Sequence, residues 1–249
     1  MSEPLVSVVI PTIDSRKEYL KKAIQSVHDQ TYKNLELIII RGNFGGQQAR
    51  NEGIRKAKGK YIAFLDDDDT WFPTKIEKQV AAMEKDPSAS ICITWMNDYR
   101  SGSLYVNKPK EKIYHMDLLE GWCLSSTSSY LCRASHLGYL WMIDGYVFNP
   151  KYISGQEYNV AIRITNWSHV ICVQEALTNQ FQSVGQISNN WKKKIRGKFI
   201  MVEDMKHELG WRRSIKHLGV IPLFFLGYFL GDRQREIVNW LKEVRHGKW

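Results

Sequence analysis

Residues 5–11, LVSVVIP, form a β-branched apolar run, which predicts a strand covered on both faces and ended by Pro11. The period then changes. In SRKEYLKKAIQSVHDQ, Leu20, Ala23, Ile24 and Val27 share one helical face, and Ser15 and Glu18 have the spacing of a capping box. LELIII predicts a second buried strand, QQARNEGIRKAKG a short helix ended by Gly59, and YIAFL a third strand. Pro73 suits the first position of a helix carrying Ile76, Val80 and Met83, which stops at Asp86-Pro87. Strand and helix alternate three times, so the expected class is α/β with a mostly parallel central sheet flanked by helices. Such sheets bind ligands beyond the carboxyl ends of their strands. The second half is less regular: ASICITW and VICVQEALTNQF predict strands, and SSTSSYLCR passes from polar to apolar in a way that suits another. No linker or repeat interrupts the chain, which predicts one domain over residues 1–190.

Composition sharpens this picture at three points. A hydrophobic content of 43% with 24% charged residues, over 249 positions, excludes a disordered chain. Cys92, Cys123, Cys132 and Cys172 fall in no C-x-x-C pair and sit among apolar neighbours, so buried free thiols are expected rather than zinc ligands or disulfides. The net charge of +9 is concentrated: residues 191–249 hold 14 Lys/Arg against 6 Asp/Glu. That basic appendage mixes lysines with Ile195, Phe199 and Val202 at helical spacing, and closes on REIVNWLKEVRHGKW, with Ile237, Trp240, Leu241 and Val244 on one face. Between them lies LGVIPLFFLGYFLG, residues 218–231, which as a helix spans roughly 21 Å, against about 30 Å of hydrocarbon core. It reads as a helical segment lying in the interface of an anionic membrane, or as helices packing on the domain or on a second copy in a homo-oligomer. No nucleic-acid reader motif accompanies the basic residues, so no nucleic acid is expected as a partner. The opening MSEPLVSVVIPT shows no basic segment followed by an apolar one, which predicts a cytoplasmic protein peripherally associated with the membrane.

The sharpest chemical signal follows YIAFL. Asp66, Asp67, Asp68 and Asp69 are adjacent carboxylates at the carboxyl end of a predicted strand, where they repel one another unless a cation is held between them. Side-chain alternation aims Asp66 and Asp68 together and leaves Asp67 on the other side. Two oxygen ligands converging on one point suit Mg²⁺ or Mn²⁺, which keep further positions for water and phosphate. The plainer reading is an acidic, solvated turn.

In this context the chain resembles the family 2 glycosyltransferases, which have the GT-A fold, a Rossmann-like arrangement. VSVVIPT is similar to their first strand, ARNEGIRKAKGKYIAFLDDDDTWFPTKIEKQ to their central signature, and GQEYNVAIRI to the segment with their catalytic acidic residue. The resemblance implies that Asp68 and Asp66 bind the divalent metal, Mn or Mg. It implies that Pro11 and Thr12 lie along the nucleotide base, that Asp66 is near the ribose, and that Asp69 orients the other two or faces the sugar. Arg50 supports the donor pocket or pairs with an aspartate for structure. Glu157 is the implied base, the plainer reading being an exposed residue at a helix start. Arg163 could pair with a carboxylate or a phosphate. Residues 125–129, SSTSS, line a sugar or acceptor pocket or form an ordinary loop. The implied activity is inverting, metal-dependent hexosyl transfer from a nucleotide-sugar donor to a glycan or lipid-linked acceptor.

The chain departs from that pattern after LELIII. Relatives continue as VDDGSTD through a helix and a strand, whereas here RGNFGG leads directly to QQARN, with Arg41 near the place of the base-binding aspartate. Val184 or Ser183 stands where relatives often have a histidine. These gaps keep a catalytically silent sugar-nucleotide or glycan-binding module as the alternative. A phosphoryl or nucleotidyl transferase would suit the aspartates but not the ARN and QE contexts.

Overall fold

The computed structural model describes residues 3–182, apart from 101, 122–123 and 153, together with residues 196–197, 199–201 and 203–204. The chain divides into two units, and the one comprising Met1–Pro150 and Gln156–Val184 holds every element discussed here. In chain order these are β1 Val6–Thr12, α1 Lys17–His28, β2 Leu35–Arg41, α2 Gly46–Lys56, β3 Tyr61–Phe64, β4 Thr70–Trp71, α3 Lys75–Lys85 and β5 Ala89–Asp98. The second half adds β6 Tyr105–Asn107, β7 Lys112–Ile113, α4 His115–Leu119, β8 Leu131–Arg133, α5 Ala134–Asp144, α6 Gln156–Thr165 and β9 His169–Gln180.

The strands form one mixed sheet in the order β2-β1-β3-β8-β5-β9-β4, with β6 beside β5 and β7 beside β9. β1 pairs in parallel with both β2 and β3, and β5 pairs in parallel with β9. The antiparallel β8 joins the two parallel sets. Alternate residues of β1 face opposite layers. Val6, Val8 and Ile10 are buried with Leu20, Ala23 and Val27 of α1 and Ile76, Val80 and Met83 of α3. Val9 faces α2, where Gly53 lies so close that a Cβ there would sit 2.2 Å from Val9 Cγ1.

Three local expectations are corrected. β1 runs through Pro11 to Thr12, because its pairing with β3 ends at Val9 and the missing proline N–H falls beyond that ladder. The capping box at Ser15 and Glu18 is replaced by a 3-10 turn, Asp14–Arg16, and α1 begins without a side-chain cap. Gly59 lies past the end of α2 and serves a close crossing: a Cβ there would meet Leu5 O, Ser7 N and Ser7 Oγ at 2.7 Å. Cys92, Cys132 and Cys172 are buried free thiols, as expected. The appendage of residues 191–249, and Ser183 and Val184, lie almost wholly or wholly outside the described residues.

Candidate active site

Because β1 and β3 are parallel with Val9 opposite Phe64, the residues just past Phe64 emerge beside the end of β1. There the chain turns at once, with the Asp69 N–H donating to Asp66 O at 3.1 Å, before entering β4. The turn splits the four carboxylates. Asp66, Asp68 and Asp69 each bring an oxygen within 4.8 Å of the others, and Asp67 is turned away.

Asp67 is buried and occupied. Its Oδ2 accepts from Thr12 Oγ1 at 2.7 Å and its Oδ1 pairs with Arg16 Nη1 at 2.6 Å. Burial raises its pKa, against the pull of Thr12 and Arg16. The Thr12 hydroxyl is therefore engaged by a carboxylate, and Pro11 lies half-buried beside it. The other arm of Arg16, Nη2, reaches Asp68 Oδ2 at 3.3 Å.

Asp66 is the most open of the ion-paired aspartates of this turn, with 28% of its side chain exposed, and it binds Arg50 Nη2. Arg50 Nη1 donates to Gln156 Oε1 at 3.0 Å, so one guanidinium ties the aspartate turn to the first residue of α6. Its Cζ lies 5.5 Å from the centre of the Phe148 ring, and Gly46 leaves it room, since a Cβ there would meet Nη1 at 2.8 Å. The next residue, Asn51, fastens the 147–148 segment by accepting from the N–H of Val147 and of Phe148 and donating to Phe148 O. The spacing A-R-N-x-G is thus a packing solution around one cation.

Asp69 is fully enclosed. Ser128 Oγ donates to it at 2.6 Å while accepting the Asp66 N–H at 3.0 Å, and the Phe181 N–H donates at 3.3 Å. Burial, with the charges of Asp66 and Asp68, pushes its carboxyl well above the usual range, and a bound dication would draw it back. Within SSTSS three further hydroxyls are engaged inside the fold: Ser125 on Thr94 O, Ser126 on Met96 Sδ and Ser129 on Ser126 O.

Glu157 follows Gln156 on the first turn of α6 and is half-buried. Burial raises its pKa; Arg50 and Arg100 oppose that shift and Asp66 adds to it, so these charges belong to one electrostatic neighbourhood. Arg100 is clamped by Asp98 through Nε at 2.9 Å and Nη2 at 2.7 Å. Arg163 resolves as a structural partner of Asp144 and of the Tyr146 and Val147 carbonyls. Arg41 ends β2, exposed, and borders two cavities of about 630 and 360 Å³, neither of which is lined by the aspartates.

Sequence reasoning missed Arg16, Ser128, Gln156 and Arg100 as partners of the site. Ser128 and Gln156 lay inside stretches already singled out, but nothing local marked Arg16 or Arg100.

Residues 40–134 match the family model described as glycosyl transferase family 2. Over those residues the chain is similar to the family 2 glycosyltransferases. The matched residues include Arg50, Asp66–69 and Ser128. Among its relatives, an uncharacterized glycosyltransferase of Rickettsia prowazekii is 33% identical over 135 residues, covering 44% of this chain and 42% of the relative. A UDP-Glc:alpha-D-GlcNAc-diphosphoundecaprenol beta-1,3-glucosyltransferase of Escherichia coli is 36% identical over 105 residues, covering 32% and 41%. The chain therefore matches about two fifths of the length of these curated relatives. A mannosyltransferase from Pyrobaculum calidifontis, solved with GDP-Man and Mn²⁺, superposes with a TM-score of 0.61 over 98% of this chain and 81% of its own, at 11% identity. That likeness shows the fold alone, the GT-A fold.

Proposed function

We propose that this chain is a metal-dependent inverting glycosyltransferase that moves a sugar from a nucleotide-sugar donor to a lipid-linked or membrane-proximal glycan. The observation that carries the reading is the convergence of Asp66, Asp68 and Asp69 at the carboxyl end of the sheet, tied through Arg50 to the helix turn bearing Glu157. The donor set fits a hard divalent ion, since every converging atom is a carboxylate oxygen and two of the three aspartates remain partly open. Asp66 and Asp68 would hold Mn²⁺ or Mg²⁺, which supplies charge neutralisation for a departing diphosphate.

The rest of the chemistry belongs to this chain's own groups. Glu157 takes the proton of the acceptor hydroxyl as its oxygen bonds to the anomeric carbon, while the bond to the diphosphate breaks and its electron pair leaves with the phosphate. Arg50 keeps Asp66 and the start of α6 in fixed relation, and Ser128 holds Asp69 against the same turn. The UDP-Glc and diphosphoundecaprenol in the name of the Escherichia coli relative support a nucleotide-sugar donor and a lipid-linked acceptor. The basic residues of 191–249 support a site at an anionic, cytoplasmic membrane face. Among the described residues no helix is long and apolar enough to cross a membrane.

A second reading, a silent sugar-nucleotide-binding module, is favoured by the short connection from β2 to α2, which puts Arg41 at the strand's end. Donor hydrolysis and transfer measured with Mn²⁺ across a panel of nucleotide sugars separates the two. Turnover that vanishes in Asp68→Ala, with an unchanged melting temperature, supports the enzyme. Binding without turnover on every donor supports the module.

A further inference from the structure

Arg16 and Arg50 both contact aspartates of the converging turn, yet they are held very differently. Arg50 is buried, with Asp66, Gln156 and the Phe148 ring around it, so its contact with Asp66 is part of the scaffold. Arg16 stands on the short 3-10 turn ahead of α1, with 20% of its side chain exposed. Its two arms are unequal. Nη1 meets Asp67 at 2.6 Å, a short charge-assisted bond to a carboxylate that Thr12 also fixes, whereas Nη2 meets Asp68 at 3.3 Å, beyond the usual range for such bonds.

The weaker arm lies on a residue with one oxygen converging on those of Asp66 and Asp69, and the stronger arm lies on the one aspartate of the four that does not converge. A dication at Asp68 and a guanidinium on the same carboxylate repel each other, so both cannot keep full contact. We propose that Arg16 is a built-in competitor of the divalent cation: it neutralises Asp68 while the site is empty and gives up that carboxylate as the metal enters. Asp67 retains the side chain through the exchange. The inference rests on the reading of Asp66 and Asp68 as metal ligands.

The test is Mn²⁺ binding to the full chain without nucleotide, followed by calorimetry or by the electron paramagnetic resonance signal of the free ion. Arg16→Gln removes the competitor and should bind Mn²⁺ roughly two- to five-fold more tightly, the scale of one partly exposed ion pair. Arg16→Lys keeps a charge for Asp67 but loses the second arm, and should tighten binding to a smaller degree; it carries the test if the glutamine variant does not fold. Unchanged or weaker Mn²⁺ affinity in a folded variant, with binding in the native chain that Asp68→Ala removes, overturns this inference alone. Absence of any Asp68-dependent Mn²⁺ binding in the native chain overturns the metal reading and this inference together.

Discussion

Glu157 shows how one residue's environment sets its working range. In the base role proposed for it, its carboxyl must be ionised to accept a proton, and burial raises its pKa above the ordinary glutamate value of 4.5. Turnover at saturating donor and metal should therefore fall as the pH drops through an acid limb lying above that value, and Glu157→Gln should flatten the limb. The same variant should keep donor affinity and lose turnover by on the order of 10²–10⁴, the contribution of a positioned base. Equal losses in donor binding and turnover would show a structural residue instead. Ser128 is the complementary case, a side chain whose only visible chemistry is support. It is fully buried, donates to Asp69 and accepts from the Asp66 backbone, so Ser128→Ala leaves two buried polar groups short of a partner. The expected cost is about 1–3 kcal/mol in denaturant unfolding, with weakened Mn²⁺ binding. Full stability with unchanged Mn²⁺ affinity would remove it from the site.

At the scale of elements, α2 and α3 brace the aspartate turn from opposite layers. α2 approaches β1 closely through Gly53, which is what lets Arg50 on the same helix reach Asp66. α3 begins with an unusual group, Lys75, which is completely buried with Nζ 4.1 Å from the centre of the Trp71 ring and 2.6 Å from Gln79 Oε1. The thiols of Cys92 and Cys132 complete its titratable surroundings. Gln79 in turn donates to Cys92 O and Ser129 O, and Trp71 Nε1 to Ser128 O, so this cluster anchors the segment that holds Asp69. Burial lowers the Lys75 pKa from 10.5 to about 7. The unfolded chain keeps that proton until pH 10.5 and the folded chain releases it near 7, so stability should climb between those values and lie flat below them. Lys75→Met should abolish this climb and raise stability at neutral pH by about 1–3 kcal/mol. Chemical denaturation from pH 6 to 10 measures both; an unchanged slope in the variant would assign the pH dependence to other groups.

For the whole molecule, the uneven charge makes a prediction about where it works. Deleting residues 191–249 should release the protein from anionic vesicles, and salt should weaken binding of the full chain without abolishing it, because screening acts on the lysines and arginines and leaves apolar burial intact. A full chain that ignores such vesicles at low salt would remove the main support for a membrane-proximal acceptor. The alternation of strand and helix, the separation of Asp67 from Asp66 and Asp68, and the buried thiols were legible in the bare sequence, since periodicity and side-chain alternation are local properties of the backbone. The weaker elements were not. α5, ASHLGYLWMID, is apolar around most of its surface and carries a central glycine, so it shows no amphipathic stripe, and β4 is only two residues long. The assignment of cations to carboxylates was beyond any local signal as well. Arg16 meets Asp67 across 51 residues, Ser128 meets the Asp66 backbone across 62, and Arg50 meets Gln156 across 106. Residue chemistry and spacing determine that four aspartates will stand at the end of a strand. Which of them bind internal arginines, which one is enclosed and which stay partly open depend on the sheet order and on the closeness of α2 to β1, because electrostatic pairing is decided by distance in space and not along the chain.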